Sequence, residues 1–197
     1  MPAHSKRRPL VEAGLALVHR DGFARTGVAA IAAAGGAPKG SFYNHFASKD
    51  AFGVELLDRY FDDVRDALTT TVADTARPPV ERIRAYFELL GELGERDAYA
   101  RGCLIGNLSA EAAPASPEIR VHLGALFEAW TLAIGEAVAD GQAAGSIRAD
   151  VPAATLAGLL VDAWQGALLR AKVRRDGAPL DAVLAVLVPA LLAPAAP

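Results

Sequence analysis

Residues 39–45, KGSFYNH, gather polar and aromatic side chains in a chain that is otherwise rich in alanine and leucine. Lysine and serine can hydrogen-bond to base edges, and tyrosine, asparagine and histidine can reach sugars and phosphates. The glycine in this run lets the backbone approach a ligand closely. The stretch therefore indicates contact with double-stranded DNA. The candidate contact residues are Lys39, Gly40, Ser41, Tyr43, Asn44 and His45.

A short helix is needed to position these side chains, and its hydrophobic spacing indicates which face is buried. Phe42 and Phe46 are four residues apart, so they share one face of a helix that begins at Pro38. Lys39 and Tyr43 fall on another face. Because the two phenylalanines require burial, we expect them to anchor this helix and to leave the polar side chains outside.

Two further helices are predicted before it. Apolar residues at helical spacing indicate a longer helix over 7–20 and a shorter one over 26–34, and glycines follow each of them. A support helix followed by two short helices that a glycine turn joins is the helix-turn-helix arrangement. In that arrangement the last helix enters the major groove of DNA.

Two helix starts are candidates for binding the phosphates of DNA. Thr26 is placed to cap the second helix, and Ser48 is placed to cap a fourth helix that begins near Lys49. The free N–H groups at a helix start suit an anion, and the Lys49 ammonium adds positive charge. Thr26 and Lys49 are therefore predicted to contact phosphates.

Charge is unevenly distributed along the 197 residues, whose net charge is −3. The first 50 residues carry seven lysines and arginines against three acidic residues, a net charge of +4. The remaining 147 residues carry thirteen basic and twenty acidic residues, a net charge of −7. This asymmetry predicts a basic DNA-binding domain over 1–50 and an acidic domain over 51–197.

The segments FARTGV at 23–28, IA at 31–32 and GAPKGSFYNHFASK at 36–49 resemble the N-terminal signature of TetR-family transcriptional regulators. The resemblance covers about residues 8–55. It implies a dimer that binds operator DNA, usually as a repressor, and a larger C-terminal domain that binds an inducer. Ala37 departs from the pattern, because many members have a hydroxyl residue there that could cap the third helix.

The rest of the chain predicts helices throughout, about nine in all, and therefore an all-α fold. The C-terminal domain would bind the effector and form the dimer. Its last two helices, over 151–175 and 179–192, carry more apolar residues than one small bundle needs to bury. Pairing them with a second copy would make a four-helix interface, so we expect a homodimer. Such a dimer also matches two reading helices to half-sites about 34–36 Å apart.

Cys103 is the only cysteine and lies in the stretch ARGCLIGNLSAE at 100–111. Arg101 is two residues before it. If Cys103 begins a short helix, the free backbone N–H groups there favour the thiolate. A thiolate attacks electrophiles and oxidants. Lys172, on a later helix, is a candidate to approach the sulfur and to stabilise the thiolate further.

The same stretch, with WQGA at 164–167, resembles a TetR subgroup that responds to reactive electrophiles such as quinones, aldehydes, hypochlorite or acrylate-like molecules. The resemblance implies that Cys103 is the sensor and that its modification shifts a helix beneath the DNA-binding domain. The alternative is that Cys103 is a small buried hydrophobic residue and that a non-covalent apolar ligand, such as a drug, is the signal. The candidate effector residues are Arg101, Cys103, Asn107, Trp130, Trp164, Gln165 and Lys172. In the non-covalent alternative, Tyr86, Phe87, Tyr99 and Phe127 also line the pocket.

The sequence lacks the motifs that are typical of enzymes and metal-binding proteins. The four histidines form no metal-binding pair, and the phosphate-binding loop, the dinucleotide fingerprint and the hydrolase nucleophile motif are missing. We therefore expect no enzymatic activity, no cofactor and no bound metal. With no long uninterrupted apolar run and no evident signal peptide, we expect a cytoplasmic protein without a membrane partner. A helical scaffold that never binds DNA is the remaining alternative.

Overall fold

The computed structural model describes residues 6–194, which form nine helices and no strand. This confirms the predicted all-α fold. The helices are α1 (Arg7–Asp21), α2 (Val28–Ala34), α3 (Lys39–Phe42), α4 (Lys49–Thr71), α5 (Pro79–Glu95), α6 (Leu104–Glu111), α7 (Pro117–Ala143), α8 (Ala153–Arg174) and α9 (Ala178–Leu192).

Serine and proline residues set two of the helix starts. The hydroxyl of Ser48 accepts a hydrogen bond from the N–H of Ala51 at 2.9 Å, which confirms the predicted cap of α4. In the same way, Ser116 accepts the N–H of Ile119 at 3.3 Å and caps α7. Pro117 is the first residue of α7, where its missing N–H has no helical partner to lose.

The first of two compact units consists of the chain up to Asp62 together with Leu104–Ala125. It contains α1, α2, α3 and α6, with the beginnings of α4 and α7. Gly14 allows α1 to approach α4 closely, because a Cβ at this position would lie 2.3 Å from Cζ of Phe52. The core side chains of this unit include Leu10, Val18, Ile31, Phe42, Phe52, Leu56 and Ile119.

The second unit consists of Asp63–Cys103 and the chain from Leu126 onward. It contains α5, α8 and α9, with the remainders of α4 and α7. Its buried Arg82 donates to the carboxylate of Asp140 at 2.7 Å and to the carbonyl of Val72 at 3.2 Å, which ties α5 to α7 and to the end of α4. The large side chains at its core are Tyr86, Phe87, Trp130 and Trp164.

Helix α9 is α-helical at both ends and widens in the middle. Its central residues, Val183–Leu187, are π-helical, and the N–H of Val188 donates to the carbonyl of Val183. This wider stretch ends just before Pro189, whose ring and missing N–H disfavour a regular α-turn at that point. The last helix therefore follows the predicted extent but not a regular α-helical geometry.

Helix α7 is the one helix in residues 6–194 whose length and apolar composition would allow it to cross a membrane. Core helices of globular proteins meet the same criterion. Trp130, Ile134 and Val138 of α7 are buried in the core of the second unit. Packing within the protein therefore accounts for these apolar residues.

Candidate DNA-binding surface and effector site

Burial of two phenylalanines fixes the position of α3. The side chains of Phe42 and Phe46 are buried, and their ring centroids are 5.0 Å apart. Both rings contact Phe52 of α4, at centroid distances of 5.1 and 4.7 Å. The tilted and edge-on geometry is the one that aromatic pairs prefer. The predicted anchor of the third helix is confirmed, although α3 itself is a single turn.

The polar residues of this segment lie where a ligand could reach them. Tyr43 is 58% exposed and Asn44 is exposed as well. Gly40 is exposed, and no atom lies within 4 Å of the position that a Cβ would occupy. Ser41 is half-buried, and its hydroxyl donates to the carbonyl three residues earlier at 2.9 Å. Lys39 begins α3, but its side chain lies outside the described part of the chain.

Arg7, at the start of α1, supports the end of this recognition segment. Its Nη1 donates to the carbonyl of His45 at 2.7 Å, and its guanidinium lies over the ring of Phe46 at 4.9 Å. Glu55 of α4 holds the same guanidinium, accepting from Nε at 2.9 Å and from Nη2. Nothing local in the sequence indicates this role of Arg7, because 38 residues separate it from its carbonyl partner.

The turn between α2 and α3 requires a glycine. Gly36 has φ of +63°, which lies in the left-handed region that side chains disfavour. The N–H groups of Gly36 and Ala37 donate to the carbonyls of Ala33 and Ala32 at 3.1 and 2.9 Å. This pattern is typical of a left-handed glycine at a helix end. The turn therefore stops α2 abruptly and sets the direction of α3.

Thr26 and Lys49, both predicted to contact phosphates, form hydrogen bonds within the protein. Thr26 is buried, and its hydroxyl donates to the carbonyl of Gly22 at 2.7 Å, while Gly27 precedes α2 without a side-chain cap. The prediction that Thr26 caps α2 is therefore wrong, because the α1–α2 loop (residues 22–27) uses its hydroxyl. The ammonium of Lys49 donates to the carbonyl of Phe23 at 2.6 Å and lies 4.6 Å from the centroid of its ring. Lys49 thus holds the loop, and the phosphate contacts of Thr26 and Lys49 stay predictions.

Cys103 lies immediately before α6 and is 7% exposed. Tyr86 of α5 is buried near it. Burial raises the pKa of Tyr86 well above 10.0, Cys103 raises it further, and Trp130 acts in the opposite direction. The phenol of Tyr86 is therefore neutral at physiological pH and keeps its proton available for donation.

Several buried polar atoms of the second unit have no hydrogen-bond partner among the described residues. They include Oη of Tyr86, Nε1 of Trp130 and Nε2 of Gln165. The rings of Tyr86 and Trp130 meet edge-on at 6.5 Å between centroids. The indole N–H of Trp130 faces the phenol oxygen and lowers the pKa of Tyr86, but the contact falls outside the geometry of a normal hydrogen bond. A buried group left unpaired costs about 1–3 kcal/mol, so native cores contain few of them. Tyr86, Trp130 and Cys103 therefore form a candidate site for a ligand with a polar atom.

The remaining predicted effector residues lie in different surroundings. Trp164 is fully buried, whereas Arg101 is exposed and its Nε pairs with the carboxylate of Asp97 at 2.5 Å. Lys172 is half-buried in the last turn of α8, and Asn107 is half-buried in α6. The approach of Lys172 to the sulfur stays a prediction. Within residues 6–194, no three His, Cys, Asp or Glu side chains are grouped as metal ligands.

Comparisons with known proteins agree with this arrangement. Residues 10–56 match the family described as bacterial regulatory proteins, tetR family. Residues 79–187 match the family described as tetracyclin repressor-like, C-terminal domain. The chain is 41% identical over 186 residues to the HTH-type transcriptional repressor DhaR of Mycobacterium sp. (strain GP1), covering 94% of this chain and 92% of that protein.

Two solved structures share the fold along almost the whole chain. The regulatory protein TetR from Rhodobacter sphaeroides superposes with a TM-score of 0.86 at 30% identity, covering 94% of this chain and 97% of that one. The reduced form of NemR from Escherichia coli superposes with a TM-score of 0.82 at 28% identity, covering 96% and 98% of the two chains.

Proposed function

Because this chain belongs to the TetR family of transcriptional regulators, we propose that it is a repressor that leaves its operator when an electrophile modifies Cys103. Membership of the family makes it a DNA-binding transcriptional repressor, and its relatives are regulators rather than enzymes. Family members act as dimers that bind operator DNA and small-molecule effectors. The identity of the signal and the residues that receive it are the content of the proposal.

The signal is inferred from the unpaired phenol of Tyr86 beside Cys103. An α,β-unsaturated carbonyl compound, such as an acrylate ester, would fit this pair of groups. The phenol, which keeps its proton, would donate a hydrogen bond to the carbonyl oxygen. The thiolate of Cys103 would form a bond to the β-carbon, and the electrons of the C=C bond would move to the α-carbon, which takes a proton from water. The product is a thioether, and the addition needs no oxidant.

A single thiol is available to receive the signal. Cys103 is the only cysteine in the sequence. The thiol is also next to the start of α6. Modification there would reach α6 directly through the chain.

A comparison of Cys103→Ser with the wild type tests the sensor. Operator duplexes would first be selected from a random pool with the wild-type protein, and Kd would be measured by fluorescence anisotropy before and after treatment with methyl acrylate. We expect Kd of the wild type to rise at least tenfold, with one adduct per chain by mass spectrometry. The serine variant should bind the untreated operator normally and should not respond.

Methyl propionate, the saturated ester, is the matched control because it has the same shape but cannot alkylate a thiol. Release of the Cys103→Ser variant by methyl acrylate, or of the wild type by methyl propionate, would contradict covalent sensing. Either result would instead favour the second candidate, a non-covalent apolar ligand. The aromatic surroundings support that candidate, since the rings of Phe127 and Trp130 stack at 6.4 Å and those of Phe87 and Trp164 lie 5.0 Å apart.

The DNA-binding proposal assigns operator contact to the outer side of α3 and the turn after it. A salt titration separates it from a scaffold that never binds DNA. Because each neutralised phosphate releases counterions, log Kd should rise with log salt with a slope of about 0.9 per phosphate contacted. Failure to select any duplex from the pool would overturn this part. The proposed contact residues are Lys39, Gly40, Ser41, Tyr43, Asn44 and His45.

We also propose that the protein acts in the cytoplasm as a homodimer joined through α8 and α9. Both helices pack together within the second unit and still leave apolar side chains on the surface. Leu169 and Val173 of α8 and Val186 of α9 are exposed. A second copy would cover these side chains, and a dimer would present two reading helices to a two-fold operator.

A further inference from the structure

The loop that precedes the helix-turn-helix is held by a carboxylate from far along the chain. Glu111, the last residue of α6, accepts the N–H of Phe23 through Oε2 at 3.0 Å and the N–H of Ala24 through Oε1 at 2.7 Å. Two consecutive peptide N–H groups thus share one carboxylate, and 88 residues separate Phe23 from Glu111. Charge-assisted bonds of this kind are stronger than those between neutral groups.

The opposite sides of the same two residues are held by a cation. Nζ of Lys49 donates to the carbonyl of Phe23 at 2.6 Å and lies 3.4 Å from the carbonyl of Ala24. The peptide groups of the α1–α2 loop are therefore fixed from both sides, by a carboxylate on their N–H groups and by an ammonium on their carbonyls. We call this arrangement the loop clamp, formed by Glu111 and Lys49.

The loop is shaped to admit the carboxylate. Gly22 has φ of +91°, and a Cβ at this position would lie 3.0 Å from Oε1 of Glu111. The buried hydroxyl of Thr26 bonds back to the carbonyl of Gly22 and keeps the remainder of the loop compact. Val28, where α2 begins, follows two residues later. The orientation of α2, and through the Gly36 turn that of α3, therefore depends on a loop that Glu111 grips.

We propose that Glu111 is a positioning residue for operator binding, which ties the helix-turn-helix to α6 through the loop clamp. Helix α6 begins directly after Cys103 and ends at Glu111, so its displacement at one end is carried to the loop at the other. The positioning role concerns operator affinity and stands independently of the signal. The coupling role rests on the proposed function, because it requires that Cys103 is modified.

The test compares the wild type with Glu111→Gln and with Glu118→Gln. Glutamine keeps one acceptor oxygen but presents an NH2 group to the second N–H, so it breaks one of the two bonds and opposes a donor to a donor. Glu118 is an exposed glutamate of the same unit whose side chain forms no hydrogen bond with the described residues, and its variant removes the same charge. Kd would be measured for the selected operator and for a scrambled duplex of equal length, together with thermal unfolding.

We expect Glu111→Gln to raise Kd for the operator at least tenfold and to leave Kd for the scrambled duplex within twofold. In Glu118→Gln, the ratio of Kd for the scrambled duplex to Kd for the operator should not change. A ratio within twofold of wild type in Glu111→Gln, or an equal loss on both duplexes, would overturn the positioning role. If Glu111→Gln does not fold, Glu111→Asp replaces it in the test. Aspartate keeps both carboxylate oxygens on a side chain one carbon shorter, so the ratio of Kd for the scrambled duplex to Kd for the operator should fall only in part.

The coupling role is read from release by methyl acrylate. Mass spectrometry should find Cys103 alkylated equally in wild type and Glu111→Gln, while the accompanying rise in Kd is at least tenfold in the wild type and below threefold in the variant. An equal rise in both proteins would overturn the coupling. If the wild type is alkylated but stays bound to the operator, the proposed signal is wrong. The ratio of Kd values for the scrambled duplex and the operator still tests the positioning role in that case.

Discussion

The unpaired phenol of Tyr86 is the residue that most needs an explanation. It is buried beside Cys103 and Trp130 without a hydrogen-bond partner among the described residues. A phenylalanine would fill the same space without the cost of an unsatisfied hydroxyl. Keeping the hydroxyl therefore sacrifices stability in the unliganded protein, which is expected where a group serves a ligand.

The stability of Tyr86→Phe tests this interpretation. Because the substitution removes a buried hydroxyl that forms no hydrogen bond of normal geometry, we expect the free energy of unfolding at pH 7 to increase by about 1 kcal/mol. Tyr43→Phe, which removes an exposed hydroxyl, should change it by less than about 0.5 kcal/mol. Urea unfolding followed by circular dichroism gives both values. A loss of stability in Tyr86→Phe would mean that the hydroxyl has a partner.

The raised pKa of Tyr86 also predicts a pH dependence. The group keeps its proton when folded and loses it near pH 10.0 when unfolded, so the unfolded state binds fewer protons above that pH. Its contribution to stability is complete below pH 10.0 and falls as the pH rises toward the higher folded-state pKa. Between pH 10.0 and that folded-state pKa, wild type should lose stability relative to Tyr86→Phe by up to about 1.4 kcal/mol per pH unit. If the free energies of unfolding of the two proteins changed in parallel between pH 8 and about 11, this expectation would be contradicted.

At the scale of elements, the position of α3 depends on how closely α1 approaches α4. Phe52 of α4 contacts both anchor rings of α3, and the same ring fits against Gly14 of α1. The absence of a side chain on α1 therefore determines where the aromatic cluster lies. A substitution at Gly14 should therefore affect the position of α3, although Gly14 is not itself part of the DNA-binding surface.

Gly14→Ala is expected to be destabilising for this reason. Its Cβ would lie 2.3 Å from a buried ring that cannot withdraw, and overpacking of this kind costs about 1–3 kcal/mol. Gly124→Ala on α7 is the matched control, because no atom lies within 4 Å of its Cβ position, and it should gain about 0.5–1 kcal/mol of helix stability. Chemical denaturation of both variants measures the difference. Equal changes in the free energy of unfolding in the two variants would show that the close approach of α1 to α4 is unimportant for stability.

The sequence predicted the elements well and the contacts between them poorly. Periodic apolar residues and local signals such as Ser48 act within a few residues, so the helices and the burial of Phe42 and Phe46 could be predicted. The cap of α2 by Thr26 is a wrong prediction, because a threonine before a helix can either cap the helix or bond within the preceding loop. Here its hydroxyl donates to the loop carbonyl of Gly22. The contacts of Arg7 and Glu111 join residues 38 and 88 positions apart, and nothing local in the sequence indicates them.

For the whole molecule, the apolar surface of the second unit is the feature that one chain does not explain. The many leucines of the last two helices predict a dimer interface there. The structure instead buries many of them, Leu156, Leu160 and Leu180 among them, inside a single chain. The exposed residues are different ones, because only some faces of α8 and α9 point into the core. Leu169 of α8 is 64% exposed and Val173 is 79% exposed.

This surface predicts that one charge on α8 will separate the dimer. Val173→Glu adds a carboxylate at an exposed position, so the fold of one chain should tolerate it, whereas burying that charge in an apolar interface is costly. Sedimentation velocity should show wild type as a dimer and Val173→Glu as a monomer at micromolar concentration. Operator affinity should fall at least tenfold, because each monomer can contact only one half-site.

Val121→Glu is the control that makes this result specific. Val121 is an equally apolar residue of α7 and is 67% exposed, but it is not on the proposed interface helices. Its variant should remain dimeric and should bind the operator with a Kd within about twofold of wild type, since exposed substitutions away from an interface change little. A dimer that survives Val173→Glu but not Val121→Glu would place the interface on α7. In that case the exposed residues of α8 would need another explanation, because a monomer rarely leaves such apolar side chains grouped in solvent.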